Sequence, residues 1–321
     1  SEKYHVLALQ EMLNRDILES YQDSGKKRRH AIDIVNIPPA DRLCHIKHPM
    51  PDIIKQLNFL ADNYNAQSRI DLTEAYLGKA LELAYQLYGE EANVPDIATT
   101  IMNIGDVHRH RNHFYEAEEC YRKASDMHKK TVDIKTDPSM AHIHHRLGSL
   151  YLLMPEKNFR AESQFVRALA RFHILEGYTD PHAMAESFHS LGLCRSAARD
   201  FYQAREYFQR ALDMLNRKYY ATTRTNLLYS LGKTHDKLGE VSKAKEVYWE
   251  ALHMDVESHD QTTYKPIIEP ILVDMRFYVL REPGPLVKKS QPFGMPLPSS
   301  PGDLLGLLNE LKSSMEGLSH H

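Results

Sequence analysis

Histidine is the residue type whose number and spacing in this chain could support chemistry. The chain contains 19 histidines. Two groups of three each fall within one predicted helix: His108, His110 and His113, and then His142, His144 and His145. A metal ion on a single helix needs imidazoles three or four residues apart. His110/His113 and His142/His145 each meet that spacing once, but no carboxylate follows at the next turn. We therefore interpret them as packing and surface residues, and expect no metal and no other cofactor.

Sequence motifs for catalysis are also lacking. The chain has no Gly-x4-Gly-Lys-Ser/Thr loop, no Gly-x-Ser-x-Gly elbow and no Ser/His/Asp order above chance. We expect no catalytic residues and no enzyme activity. The cysteines Cys44, Cys120 and Cys194 are far apart and follow no metal spacing. We interpret them as buried free thiols that suit a reducing cytosol.

The charge balance narrows the class of partner. The 40 basic and 43 acidic residues nearly cancel, which argues against a protein that coats nucleic acid or an anionic membrane. No apolar run approaches the ~18 residues of a membrane span. We expect a cytoplasmic protein with a protein or peptide partner and no membrane contact. The basic run Lys26–Arg29 leaves a nuclear location open, although we favour a solvated helix end as its explanation.

The elements that position the polar residues come from a repeat of about 43 residues. An alanine recurs at Ala80, Ala124, Ala168, Ala211 and Ala251, and a small residue precedes each by 19 or 20 positions, at Ala61, Gly105, Gly148, Gly192 and Gly232. In four repeats an aromatic residue stands three positions before the alanine, and another alanine four before that. A fixed period of this length predicts stacked supersecondary units.

Each repeat predicts a helix A, a tight turn, a helix B and a longer loop. The repeats span about 52–96, 97–140, 141–184, 185–225 and 226–265. Apolar residues follow the helical period of 3.6. At Gly105 or Gly192 a minimal side chain would let helix A approach helix B, and the aromatic residue of helix B would fill the facing groove. Prolines such as Pro95, Pro138 and Pro181 suit the first turn of the next helix.

This pattern resembles tetratricopeptide repeats, in particular the long-loop subclass of kinesin light chain and nephrocystin-3-like proteins. Leu87–Glu91 followed by Val94–Ala98 is the closest match to the loop of that subclass. The resemblance covers about 52–265. It implies an all-α fold, a right-handed α-solenoid of about five helix-turn-helix units with flanking N- and C-terminal helices, and a non-enzymatic role in binding proteins.

In such a solenoid helix A lines the concave face. Taking the small residue as position eight, positions two, five, six and nine face inward. They are Lys55, Asn58, Phe59, Asp62, Thr99, Met102, Asn103, Asp106, His142, His145, Arg146, Ser149, Glu186, His189, Ser190, Leu193, Asn226, Tyr229, Ser230 and Lys233. The kinesin light chains carry paired asparagines at positions five and six. Here the second repeat keeps only Asn103, and Phe59 or Arg146 replaces asparagine elsewhere.

The candidate partner-binding residues are the polar members of this face together with Arg109 at position twelve. They are Asn58, Asn103, Asp106, Arg109, His142, His145, Arg146, His189, Asn226, Tyr229 and Lys233. Arg109, Arg146 and the central histidines predict a weakly basic centre that would favour a peptide bearing acidic residues, with amide side chains bonding its backbone. An ordinary solvated groove is the alternative.

Further segments flank the repeats. Residues 1–51 predict an N-terminal helical cap, with an amphipathic helix over 3–22. Residues 266–281 predict a capping helix, and 282–302 a linker with six prolines and three glycines. Residues 303–321 predict a leucine-rich amphipathic helix, followed by His320 and His321, which look like a tag remnant. Its apolar stripe comprises Leu304, Leu305, Leu308, Leu311, Met315 and Leu318.

The functional hypothesis is a scaffold or adaptor that binds a partner peptide or helix on the solenoid. The leucine-rich helix would be a docking motif for another protein or would fold back onto this chain as a regulator. A fused ligand peptide or a solvated end are its remaining interpretations. The alternatives from other classes are an RNA-binding helical solenoid and a sensor module of a larger nucleotide-binding regulatory protein.

Overall fold

The computed structural model describes residues 2–22, 37–46, 49–131, 137–175, 180–216 and 220–257. In these ranges the regular structure is helical and contains no strand. Twelve α-helices are present there: α1 Glu2–Gln22, α2 Pro39–Arg42, α3 Pro51–Ala66, α4 Ile70–Tyr88, α5 Pro95–His110, α6 Phe114–Thr131, α7 Ser139–Leu152, α8 Ala161–Ile174, α9 Pro181–Ala197, α10 Phe201–Met214, α11 Ala221–Lys237 and α12 Val241–Glu257. The all-α prediction is therefore confirmed.

The helices fall into two compact units. Unit 1 is Ser1–Thr179 and unit 2 is Asp180–His321. In unit 1 the A/B pairs are α3/α4, α5/α6 and α7/α8, and in unit 2 they are α9/α10 and α11/α12. Within each unit, helix B of one pair also packs on helix A of the next, as in a helical solenoid. The sequence predicted one array over 52–265, whereas the division falls between its third and fourth repeats.

Proline marks several helix starts, as the sequence predicted. Pro51, Pro95 and Pro181 each occupy the first turn of a helix A, where the missing N–H is not needed. The Asp180 side chain caps α9 by accepting a hydrogen bond from the backbone N–H of Ala183 at 3.0 Å. Pro138 differs, because it precedes α7 and the helix begins at Ser139.

The recurring glycines mark the closest approach of helices A and B. A Cβ atom added at Gly105 would lie 2.6 Å from the Tyr121 ring, and one at Gly192 would lie 2.4 Å from the Phe208 ring. The glycines of the other two complete repeats face Phe165 and Tyr248 in the same way. The predicted packing reason for these small residues is confirmed in both units. The first repeat differs in sequence, with the smaller Leu77 in the aromatic position and Ala61 in place of glycine.

A left-handed residue ends helix A in four of the five repeats. Ser68, Asn112, Arg199 and Gly239 have φ between 58° and 76°, and each lies seven positions after the small residue. The following residue donates its N–H to a carbonyl five residues earlier, for example Asp200 to Arg195 at 2.9 Å, as in a Schellman helix end.

The third repeat has Pro155 at the equivalent position, and its turn is different. Proline fixes φ near −65° and excludes the left-handed conformation. The distance in sequence from Gly148 to Ala161 is one residue longer than in the other repeats, and a short 3₁₀ helix, Asn158–Arg160, fills the turn. The altered turn places Glu156 and Lys157 against α6, where the Tyr115 hydroxyl donates to Glu156 at 3.0 Å.

The N-terminal segment packs on the first repeat. The predicted helix over 3–22 is observed as α1, which packs on α3. The Tyr64 hydroxyl donates to the Glu2 carboxylate at 2.8 Å, and the Arg42 guanidinium donates to the same carboxylate at 3.4 Å. The Tyr76 hydroxyl donates to the Pro39 carbonyl at 2.9 Å. These bonds tie α1 and α2 to α3 and α4.

The predictions for the C-terminal segments lie outside the described residues. They are the capping helix 266–281, the linker 282–302 and the leucine-rich helix 303–321, together with its six apolar residues. The basic run Lys26–Arg29 lies outside them as well. Among the described helices, none is long and apolar enough to cross a membrane.

Candidate partner-binding surface

The A helices of unit 1 bring six polar side chains onto one surface. We call this set the unit 1 polar surface: Asp62 on α3, Asn103, Asp106 and Arg109 on α5, and His145 and Arg146 on α7. Equivalent positions of consecutive A helices supply them. The stacking of repeats, rather than any single loop, therefore sets their spacing.

Asp106 is the hub of this surface. The Tyr121 hydroxyl donates to its Oδ1 at 2.6 Å, and Nε of Arg146 lies 2.8 Å from its Oδ2. Nε of Arg109 lies 3.7 Å from Oδ1. The Asp106 side chain is only 7% exposed, so it depends on these partners. We conclude that Asp106 positions the two arginines and is not open to a ligand.

The charges of the unit 1 polar surface balance, and this surface holds three of the five residues of the predicted weakly basic centre: Arg109, His145 and Arg146. Two carboxylates, Asp62 and Asp106, balance the two guanidinium groups of Arg109 and Arg146. Burial, together with the nearby Arg146 charge, lowers the pKa of His145 to about 4. His145 is therefore neutral near pH 7 and adds no positive charge. An acidic peptide would find no net attraction here.

Two buried asparagines on neighbouring A helices differ in how they are bonded. The Asn58 amide nitrogen donates to the Ile54 carbonyl at 3.1 Å and to the Thr100 hydroxyl at 2.9 Å. Asn58 therefore ties α3 to α5. Asn103 is 3% exposed, and neither its amide nitrogen nor its amide oxygen has a hydrogen-bond partner among the described residues.

Asp62 is the solvent-exposed carboxylate of the unit 1 polar surface. It makes no hydrogen bond and no ion pair with the described residues. Crowding by the surrounding protein raises its pKa to about 6; Arg146 opposes this rise and Asp106 adds to it. The carboxylate is therefore ionised above neutral pH but poorly stabilised by the protein.

In unit 2 the A helices are joined by hydrogen bonds between histidine rings and hydroxyl groups. We call this set the unit 2 histidine ladder: Nε2 of His182 lies 3.1 Å from the Thr223 hydroxyl, and Nε2 of His189 lies 2.9 Å from the Ser230 hydroxyl. Burial lowers the pKa of His189 to about 4, so it is neutral near pH 7. His189 was predicted as a ligand contact, but in the structure it links α9 to α11.

The remaining predicted residues are His142 on α7 and Asn226, Tyr229 and Lys233 on α11. His142 is half-buried, and its ring lies 5.3 Å from that of Phe172. Asn226 and Lys233 are exposed on α11. The Lys233 ammonium lies 5.2 Å from the centre of the Tyr229 ring.

A second charged cluster surrounds Glu118 on α6. Its carboxylate accepts hydrogen bonds from the Tyr151 hydroxyl at 2.9 Å and from Lys157, and Arg122 lies 2.7 Å away. Burial acts to raise the pKa of Glu118, but Lys157, Tyr151 and Arg122 outweigh it and lower that pKa. The cluster borders a recess of 760 Å³ between α4 and α6. Because its charges are paired within unit 1, we assign it to structure.

The histidine groups form no metal site in the part of the chain that the structure describes. No set of three or more His, Cys, Asp or Glu side chains there could hold a metal ion. His108 and His113 lie 6.1 Å apart, centre to centre, as ring neighbours on either side of the α5/α6 turn.

Sequence reasoning placed Asp62 and Phe59 on the inward face but left both out of the candidate set. The signal that could have raised Asp62 is its position nine, which it shares with Asp106. Tyr121 was assigned to packing alone, and its hydroxyl bond to Asp106 was not foreseen. That bond depends on the orientation of two side chains on different helices, which spacing does not report.

Comparisons with known proteins agree with this architecture. Residues 53–130 match the model of the tetratricopeptide repeat family. Curated protein sequences give no match. BtubC (BKLC) from P. vanneervenii is 16% identical, with a TM-score of 0.53 over 92% of this chain and 99% of that one. A single-substitution form of the TPR-like repeats of a putative kinesin light chain from Podosopora anserina is 15% identical, with a TM-score of 0.50 over 67% and 99%.

A third similar structure is aspartyl phosphate phosphatase F from Bacillus subtilis. It is 12% identical, with a TM-score of 0.52 over 87% of this chain and 85% of that one. At such identities these likenesses concern the fold alone. The chain thus has an all-α solenoid fold like that of known tetratricopeptide-repeat structures, and residues 53–130 match that repeat family.

Proposed function

We propose that this chain is a non-enzymatic interaction scaffold that binds an extended partner peptide along the unit 1 polar surface. Tetratricopeptide repeats generally act in protein interactions, and the A-helix face is where a solenoid presents non-repeating side chains. We also propose that the chain acts as an adaptor in the cytoplasm and that its repeats are of the long-loop subclass of the family.

The observation that carries the proposal is the Asn103 amide. A buried polar group without a partner costs about 1–3 kcal/mol, and native structures seldom leave one without a reason. The asparagine amide is both donor and acceptor, which matches the C=O and N–H of an extended peptide backbone. Asn58, one repeat earlier, already uses its donors within the protein, whereas neither amide atom of Asn103 has a partner among the described residues. Because Asn103 is 3% exposed, a bound peptide reaches its amide only when the side chain turns outward.

The neighbouring charges support a peptide of mixed character. Arg146 lies beside Asn103 in the stack of A helices and uses Nε for Asp106. Its side chain is 26% exposed, so the guanidinium edge can still meet an acceptor. Asp62, on α3, adds a carboxylate to the same surface.

We extend the proposal to the leucine-rich segment 303–318 as a docking motif or an intramolecular regulator, on the strength of its apolar stripe alone. An RNA-binding role gains no support, because Arg109 and Arg146 of the unit 1 polar surface lie beside the Asp106 carboxylate, and the six side chains of that surface include no phenylalanine, tyrosine or tryptophan ring on which bases could stack. Nucleic-acid binding with a steep salt dependence would reverse that judgement.

Selection from a random decapeptide library on the immobilised full chain tests the proposal. Selected peptides are synthesised, and their Kd is measured by fluorescence polarisation for the wild type, Asn103→Ala and Lys123→Ala. Lys123 is an exposed residue of α6 and serves as the control.

We expect Asn103→Ala to weaken binding about tenfold or more, since one or two buried hydrogen bonds are lost, while Lys123→Ala binds like the wild type. A library that yields no binder, or binders indifferent to Asn103→Ala, would overturn the proposal.

A further inference from the structure

The exposed carboxylate of Asp62 lacks a protein partner among the described residues, whereas the other carboxylate of the unit 1 polar surface, Asp106, is paired. Asp106 meets Tyr121, Arg146 and Arg109. Asp62 meets no hydrogen-bond or ion-pair partner among the described residues. The charges that act on it from other helices are Arg146 on α7 and Asp106 on α5, and Arg146 is already bonded to Asp106.

An exposed aromatic ring lies one helical turn from this carboxylate. Phe59 precedes Asp62 by three residues on α3, so the two side chains share a helix face. The Phe59 ring is 50% exposed. The His5 ring of α1 stacks on it with centres 4.9 Å apart and planes 12° apart, and Tyr4 packs edge-on against His5. One side of the Phe59 ring is thereby fixed, and the rest remains open to a ligand.

A carboxylate next to an open aromatic ring is complementary to a long basic side chain. Lysine and arginine have an aliphatic stem that packs on apolar surface and a cation that seeks a carboxylate. An aromatic face also attracts a cation directly. Lys55, on the same helix, is the nearest competing cation in sequence, and it lies 3.9 Å from Asp52 instead.

We propose that Phe59 and Asp62 form a specificity site for a lysine or arginine side chain of the bound peptide. The stem packs on the Phe59 ring, and the cation meets the Asp62 carboxylate. The site rests on the proposed function, because the backbone of the same peptide lies along Asn103. It reverses the expectation of an acidic ligand and makes the partner a basic segment.

The cost of leaving Asp62 unsatisfied agrees with this role. Although the Asp62 side chain is exposed, partial desolvation by the surrounding protein raises its pKa to about 6, so the ligand-free protein stabilises the ionised form less than water does. A cation from a ligand would supply the stabilisation that the protein lacks.

Four decapeptide pools test the site. Each pool is random except for one central position, fixed as Lys, Arg, Gln or Glu. Binding to the immobilised full chain is measured by surface plasmon resonance at slightly alkaline pH, where Asp62 is ionised. The variants are Asp62→Asn, Asn103→Ala and the control Asp126→Asn, which removes an exposed carboxylate from α6.

We expect the Lys and Arg pools to bind the wild type and Asp126→Asn about tenfold more tightly than the Gln and Glu pools. Asp62→Asn should bring the Lys and Arg pools down to the Gln pool, which still binds. No preference for basic pools in the wild type, or a preference that survives in Asp62→Asn, overturns the specificity site alone. Absence of binding by every pool, or a Gln pool unaffected by Asn103→Ala, overturns the proposed function beneath it.

Discussion

The A-helix faces of the two units share one packing scheme and differ in how their polar side chains are bonded. In both units a glycine of helix A receives the aromatic ring of helix B. On that common packing, unit 2 joins its A helices by the unit 2 histidine ladder, in which Nε2 of His189 lies 2.9 Å from the Ser230 hydroxyl. Unit 1 joins them by the Asp106–Arg146 ion pair and leaves Asn103 and Asp62 without partners among the described residues.

This difference indicates which surface is built for a ligand. Hydrogen-bonded side chains such as those of the unit 2 histidine ladder hold repeats together and need no ligand to complete their bonding. Buried or crowded polar groups without partners reduce stability, and they tend to persist where a ligand completes them. Unit 1 therefore carries the proposed binding surface, whereas histidine–hydroxyl hydrogen bonds link the A helices of unit 2.

The largest difference in stability is expected when the Asp106–Arg146 ion pair of unit 1 and the unit 2 histidine ladder are each broken. Asp106→Asn leaves Arg146 and Arg109 without their carboxylate, and we expect it to lower the free energy of unfolding by about 3 kcal/mol, the low end for a buried ion pair because Arg146 is partly exposed. Ser230→Ala removes one neutral bond from His189 and should cost about 1 kcal/mol. Urea unfolding followed by circular dichroism measures both. Equal losses would mean that the two faces are energetically alike.

The next prediction tests the packing that the units share. Gly105→Ala and Gly192→Ala each place a Cβ against a buried ring, and both should cost about 2 kcal/mol through overpacking. Gly78 on α4 has nothing within 4 Å of an added Cβ, so Gly78→Ala should stabilise by about 0.5–1 kcal/mol. Trp249 is the single tryptophan of the chain, and its fluorescence follows unit 2.

Circular dichroism follows both units in the same samples. Gly192→Ala should shift the Trp249 transition to lower denaturant, while Gly105→Ala acts on the unit that lacks tryptophan. If Gly78→Ala destabilised as much as the other two, close packing would not be the reason for the recurring glycines.

The fold was predictable from the sequence because its cause is periodic. A glycine such as Gly105 and an aromatic residue such as Tyr121 recur at a fixed spacing. That spacing marks where helix A and helix B of a repeat approach each other closely. Proline at the first helical turn was equally readable at Pro95. The division at Asp180 was not, since it depends on the density of contacts between repeats and not on any one residue.

The binding surface was predictable only as a list of positions. Helical spacing placed Asn58 and Asn103 on one face. It could not show that the Asn58 amide donates to Thr100, or that the Asn103 amide has no partner among the described residues. The charge of Arg146 was readable, but its pairing with Asp106 across two helices was not. Side-chain pairing is a property of three-dimensional neighbours, so sequence reasoning overestimated the positive charge.

The smallest change in stability is expected at Asp62. Its substitution should stabilise the protein, whereas Asp106→Asn should destabilise it. The folded protein raises the pKa of Asp62 from 3.8 to about 6, so between these values the folded state binds more protons than the unfolded state. Stability therefore falls as pH rises through this window. The carboxylate is exposed and screened by water, which keeps the effect small.

At slightly alkaline pH, Asp62→Asn should raise the Tm by about 1–2 °C, and the gain should shrink towards pH 4, where the wild-type carboxyl is protonated. The Tm difference between the two proteins across pH is the measurement, because His145 and His189, with lowered pKa values, act with the opposite sign in both. A loss of stability in Asp62→Asn would show that the carboxylate supports the fold. A gain, together with loss of the preference for basic peptides, would mean that the ligand requires Asp62 and the fold does not.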